Sequence, residues 1–108
     1  MLAALAAHEA DPHLEILIAV KGLLGKSGCT RMVQGGYNVV LSESDSIENH
    51  FMDTIRAGAW INDQDLAWPL VSRAPDCVRR LETVCGAFFD RNPDGTIHQK
   101  PFAGQSVD

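Results

Sequence analysis

Between Val20 and Tyr37 the chain places five glycines, two lysines, a serine and a threonine within eighteen residues. Small residues leave backbone N–H groups accessible, and lysines beside them add positive charge. The segment Val-Lys-Gly-Leu-Leu-Gly-Lys-Ser-Gly-Cys-Thr-Arg-Met-Val-Gln-Gly-Gly-Tyr therefore has the composition to wrap an anion such as a phosphate. The same composition suits a flexible connection between regular elements. One specific chemistry is excluded by counting. A triphosphate-binding loop needs Gly, four residues, then Gly-Lys-Ser/Thr, and four residues before Gly25-Lys26-Ser27 would put the first glycine where Val20 stands.

Other residues with chemical potential do not cluster. His8, His13, His50 and His98 are scattered without the spacing of metal ligands, so no metal site is expected. Cys29, Cys77 and Cys85 are odd in number and show no Cys-x-x-Cys pair, so reduced thiols are the default. Asp63 and Asp65 read as acids at a helix start rather than as an acid and base pair. Trp60 and Trp68 read as packing residues. No Ser, His and Asp arrangement emerges.

Bulk properties narrow the partners. The chain has 108 residues and a formal charge of -5, with 45% hydrophobic content. That length accommodates one small domain. Nucleic acid is a poor partner, because phosphate backbones demand concentrated positive charge and Arg79-Arg80 is the only basic pair. The longest nearly apolar run, Leu14 to Val20, is seven residues, whereas a membrane span needs roughly twenty. The N-terminus lacks the positive region of a signal peptide, so a cytoplasmic location is expected.

The elements that must position the glycine-rich segment follow from periodicity. Met1 to Ala10 is rich in Ala and Leu and predicts a helix, closed at Asp11 because a residue preceding proline is pushed out of the helical region. Leu14 to Val20, with β-branched Ile16, Ile18 and Val20, predicts a strand buried on both faces of a parallel sheet. Helix, turn and buried strand are half of a βαβ unit, whose preceding strand and glycine turn do not occur in this sequence. A strand without neighbours leaves a sheet edge through which the chain would self-associate.

Downstream, Asp45 and Glu48 fit a capping box for a helix over about Ser46 to Ala57, with Ile47, Phe51 and Ile55 on its buried face and Gly58 as its stop. Asn62 is expected to cap a further helix, imperfect because of Pro69, with Leu66 and Leu70 on one side. Pro75 suits the first turn of another, with Val78, Leu81 and Val84 buried and Gly86 at its end. Asn92-Pro93-Asp94-Gly95 predicts the tip of a small β-hairpin. The fold class expected is thus α/β, a partial Rossmann-like domain over residues 1–108.

Four separated segments carry a resemblance. Following the expected strand and its Val-Lys at 20–21, they are Ser-Gly-Cys-Thr-Arg-Met-Val-Gln-Gly-Gly at 27–36, His-Phe-Met-Asp-Thr-Ile-Arg-Ala-Gly at 50–58, Asn-Asp-Gln-Asp at 62–65, and Asp-Gly-Thr-Ile-His-Gln-Lys-Pro-Phe-Ala-Gly-Gln-Ser at 94–106. In order and spacing they resemble the flavoprotein subunit of succinate dehydrogenase and fumarate reductase, with L-aspartate oxidase as a relative. The resemblance implies an FAD-binding domain that, in the family, is interrupted by a capping domain, with a dicarboxylate between the two. It places Lys21 near the adenosine part of FAD, and Ser27, Gly28 and Thr30 near the phosphates and ribityl chain. Gln34, Gly35 and Gly36 fall at the isoalloxazine. Gln34, Gly35 and Phe102 border the dicarboxylate.

The resemblance also sets what to expect of the chemistry. Where members of the family that form membrane complexes carry a flavin-linking histidine before the threonine, this chain has Cys29, so non-covalent FAD is expected. The reaction implied is hydride transfer between flavin N5 and succinate or fumarate, or oxidation of aspartate. The family's catalytic arginine and histidines, its first glycine turn and its capping domain have no match, so no catalytic proton carrier is assigned and the chain is expected to be inactive alone, as a truncated fragment. An iron–sulfur subunit is implied as partner of the parent, which the resemblance puts at the inner face of a membrane. A non-catalytic helical interaction module derived from such a sequence is the alternative.

Overall fold

The computed structural model describes residues 1–100, 102 and 104–107. The chain divides into two compact units, Met1–Gly36 and Tyr37–Asp108.

The first unit opens with helix α1, Leu2–Ala10. Its C-cap, Asp11, is extended at φ -149 and ψ 104, as the following proline requires. The Asp11 carboxylate then accepts the His13 N–H at 2.9 Å, turning the chain. None of the residues of α1 is buried; Ala4, Leu5 and Ala7 are half-covered. Leu14 to Val20 follows as extended chain rather than the buried parallel strand its pattern predicts. Every residue in it is exposed, Leu17 at 92% and Ile18 at 45%. Period and β-branching favour an extended backbone, but burial of both faces needs neighbouring strands. Among the described residues the only β pairing is an isolated antiparallel bridge, Arg91 to Ile97.

The second unit holds the core. Helix α2 spans Ile47–Ala57 and helix α3 spans Gln64–Thr83, and the two pack on each other. Ile55 and Val71 are fully buried at 1% exposure, with Ala67 and Val78 beside them. Phe51 meets Trp68 edge to face at a centroid distance of 5.4 Å. Ala67, Val71 and Val78 lie four and then seven residues apart, one stripe along α3.

That stripe corrects three expectations. Leu66 and Leu70, read as a buried side, are 71% and 67% exposed, because the stripe facing α2 runs one position further along the helix. Val84 is exposed as well. The two helices expected on either side of Pro75 are one continuous helix with Pro69 and Pro75 inside it. Each interior proline forfeits a backbone hydrogen bond at a cost of about 3 kcal/mol. Burial of a single large aliphatic side chain, about 1.5–3 kcal/mol, is of the same order, and the α2 contact supplies several.

The helix termini show how local signals were displaced by one residue. Ser46, not Asp45, is the N-cap of α2, its hydroxyl accepting the Asn49 N–H at 3.1 Å. The Asp45 carboxylate instead accepts the Ser46 N–H at 2.7 Å. Asp63, not Asn62, caps α3, accepting N–H groups from Asp65 and Leu66. Asn62 closes the preceding helix: its amide donates to the Thr54 carbonyl at 3.3 Å.

Gly58 stands at the end of α2 as expected, for a different reason. The left-handed residues are Ala59 (φ 52) and Trp60 (φ 66), whose N–H groups return to the carbonyls of Arg56 and Ile55 in a Schellman arrangement. Gly58 itself has an ordinary φ of -80. A Cβ there would stand 1.8 Å from the Asn62 Oδ1, so the glycine makes room for the capping amide.

The Asn92–Gly95 turn forms, closed by the Gly95 N–H to the Asn92 carbonyl at 2.9 Å with Gly95 at φ 87. The hairpin around it reduces to the Arg91–Ile97 bridge, and Phe88 is 99% exposed. Arg91 binds Glu82 at the end of α3, which ties the turn to the helix. The Asp94 carboxyl is held below its ordinary range by hydrogen bonds from the Thr96 hydroxyl and N–H.

Candidate functional site

Seven of the eight residues expected to touch cofactor or substrate lie in the first unit. Lys21 follows the extended Leu14–Val20 chain and is exposed. The loop beyond it folds on itself locally. The Leu23 carbonyl accepts the Lys26 N–H at 3.0 Å across a turn in which Gly25 has φ 68, and it also accepts the Ser27 hydroxyl at 3.1 Å. Ser27 comes so close to Gly22 that a Cβ on the latter would stand 2.7 Å from its Oγ. Arg31 reaches back to the Lys26 carbonyl at 2.8 Å, closing the loop.

Gly28, at φ 100 and ψ 167, then turns the chain into a single 3₁₀ turn over Cys29–Arg31. A side chain is strained at that φ, which accounts for the glycine. The Cys29 carbonyl accepts the N–H groups of Met32 and Val33. Gln34, Gly35 and Gly36 leave as exposed chain without regular structure. Thr30 and Cys29 are exposed.

Two properties of this loop bear on ligands. Among the described residues, the backbone N–H groups of Ser27, Gly28, Gln34, Gly35 and Gly36 have no acceptor. No atom lies within 4 Å of where a Cβ would sit on Gly25, Gly28, Gly35 or Gly36, so a ligand can approach the backbone closely. The charge is also one-sided. Lys21, Lys26 and Arg31 are the only charged side chains between Ile16 and Ser42, where the sequence has no acidic residue. In a chain of net charge -5 that stretch is a local positive field.

Phe102 lies in the second unit, 63% exposed. It borders a cavity of about 50 Å³ together with Val39, Ser42, Asp45, Gln99 and Gln105. Its backbone carbonyl accepts the Gln105 N–H at 3.1 Å, across a turn in which Gly104 has φ 90.

Two residues that sequence reasoning left without a role are buried on α2. Asp53 is 7% exposed and His50 is 6% exposed, and among the described residues the His50 Nδ1 has no hydrogen-bond partner. Both stand in the His-Phe-Met-Asp-Thr segment, three residues apart, so the signal was a polar pair at helical spacing. The three cysteines are free and exposed. No helix among the described residues is long and apolar enough to cross a membrane.

A loop of small residues with free N–H donors, in an acid-free and cationic stretch, offers the kind of donors that a phosphate accepts. The chain belongs to the FAD binding domain family, whose model matches residues 1–108. It is 53% identical over 91 residues to an uncharacterized FAD-dependent oxidoreductase of Methanocaldococcus jannaschii, covering 84% of this chain and 17% of that protein. Identity is 48% over 105 residues to one of the subunits of the CoM/CoB fumarate reductase of Methanothermobacter marburgensis, covering 94% of this chain and 19% of the other. The L-aspartate oxidase of Streptomyces coelicolor is 42% identical over 84 residues, 78% of this chain and 14% of the enzyme. The chain thus spans less than a fifth of the length of these relatives. The donor set described above fits FAD: unpaired amides suit its diphosphate, and open glycines admit a planar ring against the backbone.

Proposed function

We propose that this chain supplies one wall of the FAD site of an oxidoreductase that interconverts succinate and fumarate. The observation that carries the reading is the Val20–Tyr37 loop, with free amides at Ser27, Gly28, Gln34, Gly35 and Gly36 and no acidic residue. Lys21 sits toward the adenosine end, and Ser27, Gly28 and Thr30 toward the diphosphate and ribityl chain. The Ser27 hydroxyl donates to Leu23, so its contribution to a phosphate is its N–H rather than its Oγ proton. Gln34, Gly35 and Gly36 take the isoalloxazine, and Gln34, Gly35 and Phe102 border the dicarboxylate.

Bound FAD supplies the hydride acceptor and donor; the protein supplies binding, orientation and electrostatics. Lys21, Lys26 and Arg31 raise the local potential for the anionic cofactor. None of the residues described takes the role of proton carrier, so the reaction needs groups from the rest of a full-length relative. Cys29 stands where a flavin-linking histidine would be, and the FAD is non-covalent. An iron–sulfur subunit is the electron partner in this reading. Similarity to an L-aspartate oxidase favours one alternative substrate, the amino dicarboxylate aspartate.

The test is flavin titration followed by absorbance near the visible flavin bands and by fluorescence quenching. Gly28→Val, which strains a φ of 100 and fills the open approach, is expected to weaken FAD binding by about tenfold or more, while leaving the helical circular dichroism unchanged. FAD bound by this chain should be released into the supernatant on acid precipitation. Flavin retained in the pellet of wild type and lost from that of Cys29→Ala would overturn non-covalent binding. Wild-type protein that neither carries nor takes up FAD would overturn the proposed function.

A further inference from the structure

We propose that Asp53 is a positioning residue for Phe102, acting through Ser106. Asp53 is buried on α2, its side chain 9% exposed, and its Oδ2 accepts two hydrogen bonds from a residue 53 positions away. The Ser106 N–H donates at 2.7 Å and the Ser106 hydroxyl at 2.8 Å, both short and charge-assisted. Among the described residues its other oxygen has only a loose ion pair with exposed Arg56 at 3.9 Å, so the bonds described commit the carboxylate chiefly to the Ser106 segment.

The segment that Ser106 ends has no regular structure of its own. His98 is still anchored, its N–H donating to the Asp90 carbonyl at 2.7 Å beside the Arg91–Ile97 bridge. Residues 99 and 100 and the described residues beyond them lie outside any helix or strand, and none of them joins a backbone ladder. Among the described residues from 99 onward, hydrogen bonds to the rest of the chain hold this stretch at two points. At one, the Gln99 side chain donates to the Val39 carbonyl at 3.0 Å, across sixty positions of sequence. At the other, Asp53 holds Ser106. Phe102 lies between these tethers, linked to the Ser106 end through the turn that the Gln105 N–H makes to its own carbonyl. Gly104 follows α2 closely enough that a Cβ on it would touch the Ala57 Cβ at 4.0 Å, so the turn lies along the helix that carries Asp53.

A buried carboxylate that binds two donors of one residue fixes both the distance and the orientation of the backbone there. Phe102 is 63% exposed and cannot be held by its own burial. Its place is therefore set by the tethers, and the stronger of the two is the buried carboxylate. That Phe102 borders a dicarboxylate rests on the proposed function; that Asp53 fixes it does not.

The experiment is NMR of the 108-residue chain with labelled phenylalanine, comparing wild type with Asp53→Asn and Ser106→Ala. Phe51, packed on Trp68 in the α2–α3 contact, is the internal control. Asp53→Asn is expected to speed exchange of the Ser106 amide by roughly ten- to a hundredfold, since hydrogen bonds to a charged acceptor are the strong ones. It should move the Phe102 ring signals toward those of a mobile side chain and leave the Phe51 signals in place. Ser106→Ala, outside the helices, should move Phe102 in the same direction by less, and Ser106→Thr should restore it.

Phe102 signals unmoved in both variants would overturn the proposal. So would Phe102 and Phe51 shifting together in Ser106→Ala, which would make the contact merely structural. With FAD bound, succinate should shift the Phe102 ring in wild type with an apparent Kd that rises several-fold in Asp53→Asn. A Phe102 ring blind to succinate in flavin-loaded protein removes the substrate role, and with it that part of the proposed function, while the exchange and ring measurements still decide the positioning.

Discussion

The two units of the chain divide its labour unequally. Met1–Gly36 carries all but one of the residues expected at the cofactor or substrate, and has no buried residue among them. Tyr37–Asp108 carries every buried residue described, Ile55, Ala67, Val71, Val78, His50 and Asp53, and one site residue, Phe102. Free amides and open glycines are useful to a ligand because no protein atom has claimed them, and the same condition denies the loop a core of its own. Ligand affinity and stability therefore respond to different substitutions.

The largest expected contrast comes from truncating an aliphatic side chain in each unit. Ile55→Ala removes the centre of the α2–α3 contact, where Ile55 is 1% exposed, and is expected to cost about 2–5 kcal/mol in thermal or urea unfolding. Leu17→Ala, at a position 92% exposed, is expected to stay within about 0.5 kcal/mol. Equal losses at the two positions would break the comparison and reveal burial of Leu17 in the folded chain.

Next in size is Gly58→Ala. A Cβ there would stand 1.8 Å from the Asn62 Oδ1, so the capping amide must leave the Thr54 carbonyl, at a cost of about 1–3 kcal/mol in the same unfolding measurement. Ser46→Ala removes the N-cap acceptor of the Asn49 N–H and should cost about 1 kcal/mol. Ala59→Gly runs the other way. It relieves a left-handed φ of 52 at the position where Schellman turns favour glycine, and is expected to raise stability by about 0.5–1 kcal/mol.

The smallest effect is a pH dependence confined to the Asn92–Gly95 turn. The Asp94 carboxyl is lowered in the folded chain by its bonds from Thr96, so it favours folding when ionised. That contribution is fully present above the ordinary carboxyl value of about 3.9 and is lost as pH falls through the lower folded value. Titration of the Thr96 amide shift should show its midpoint below that ordinary value, and Asp94→Asn should abolish the titration. A midpoint above it would reverse the sign.

Much of the second unit was legible because its signals are local. Helix α2 ends at Ala57 as its periodicity predicts, and the caps differ from expectation by a single residue in a run, Asp45-Ser46 and Asn62-Asp63, in which each neighbour is a competent cap. The turn at Asn92–Gly95 forms because proline and glycine set their own backbone angles. Continuity of α3 through Pro69 and Pro75 was not legible. The cost of a proline is written in the residue, whereas the burial that offsets it depends on α2. The stripe on α3 was misassigned for a related reason. Leu66 and Leu70 are as apolar as Ala67 and Val71, and only the partner helix selects between the two faces.

For the candidate site, composition pointed to the Val20–Tyr37 loop, and the resemblance to its residues. Glycine permits the positive φ of Gly25 and Gly28 without strain. What the loop does with its own donors is not written in residue type: Ser27 turning to Leu23 and Arg31 reaching Lys26 are choices of the folded backbone.

By itself, the sequence determined the family, helices α1 and α2 in outline, the helical character of the region that α3 occupies, the glycine-rich loop and its positive charge. Each is fixed by residue type or by spacings of a few residues, which survive in any folded context. Tertiary structure alone decided that Leu14–Val20 is exposed rather than buried, which face of α3 is core, and that Asp53 is joined to Ser106. These depend on which groups, tens of residues apart, exclude water from one another, and no local pattern encodes that distance.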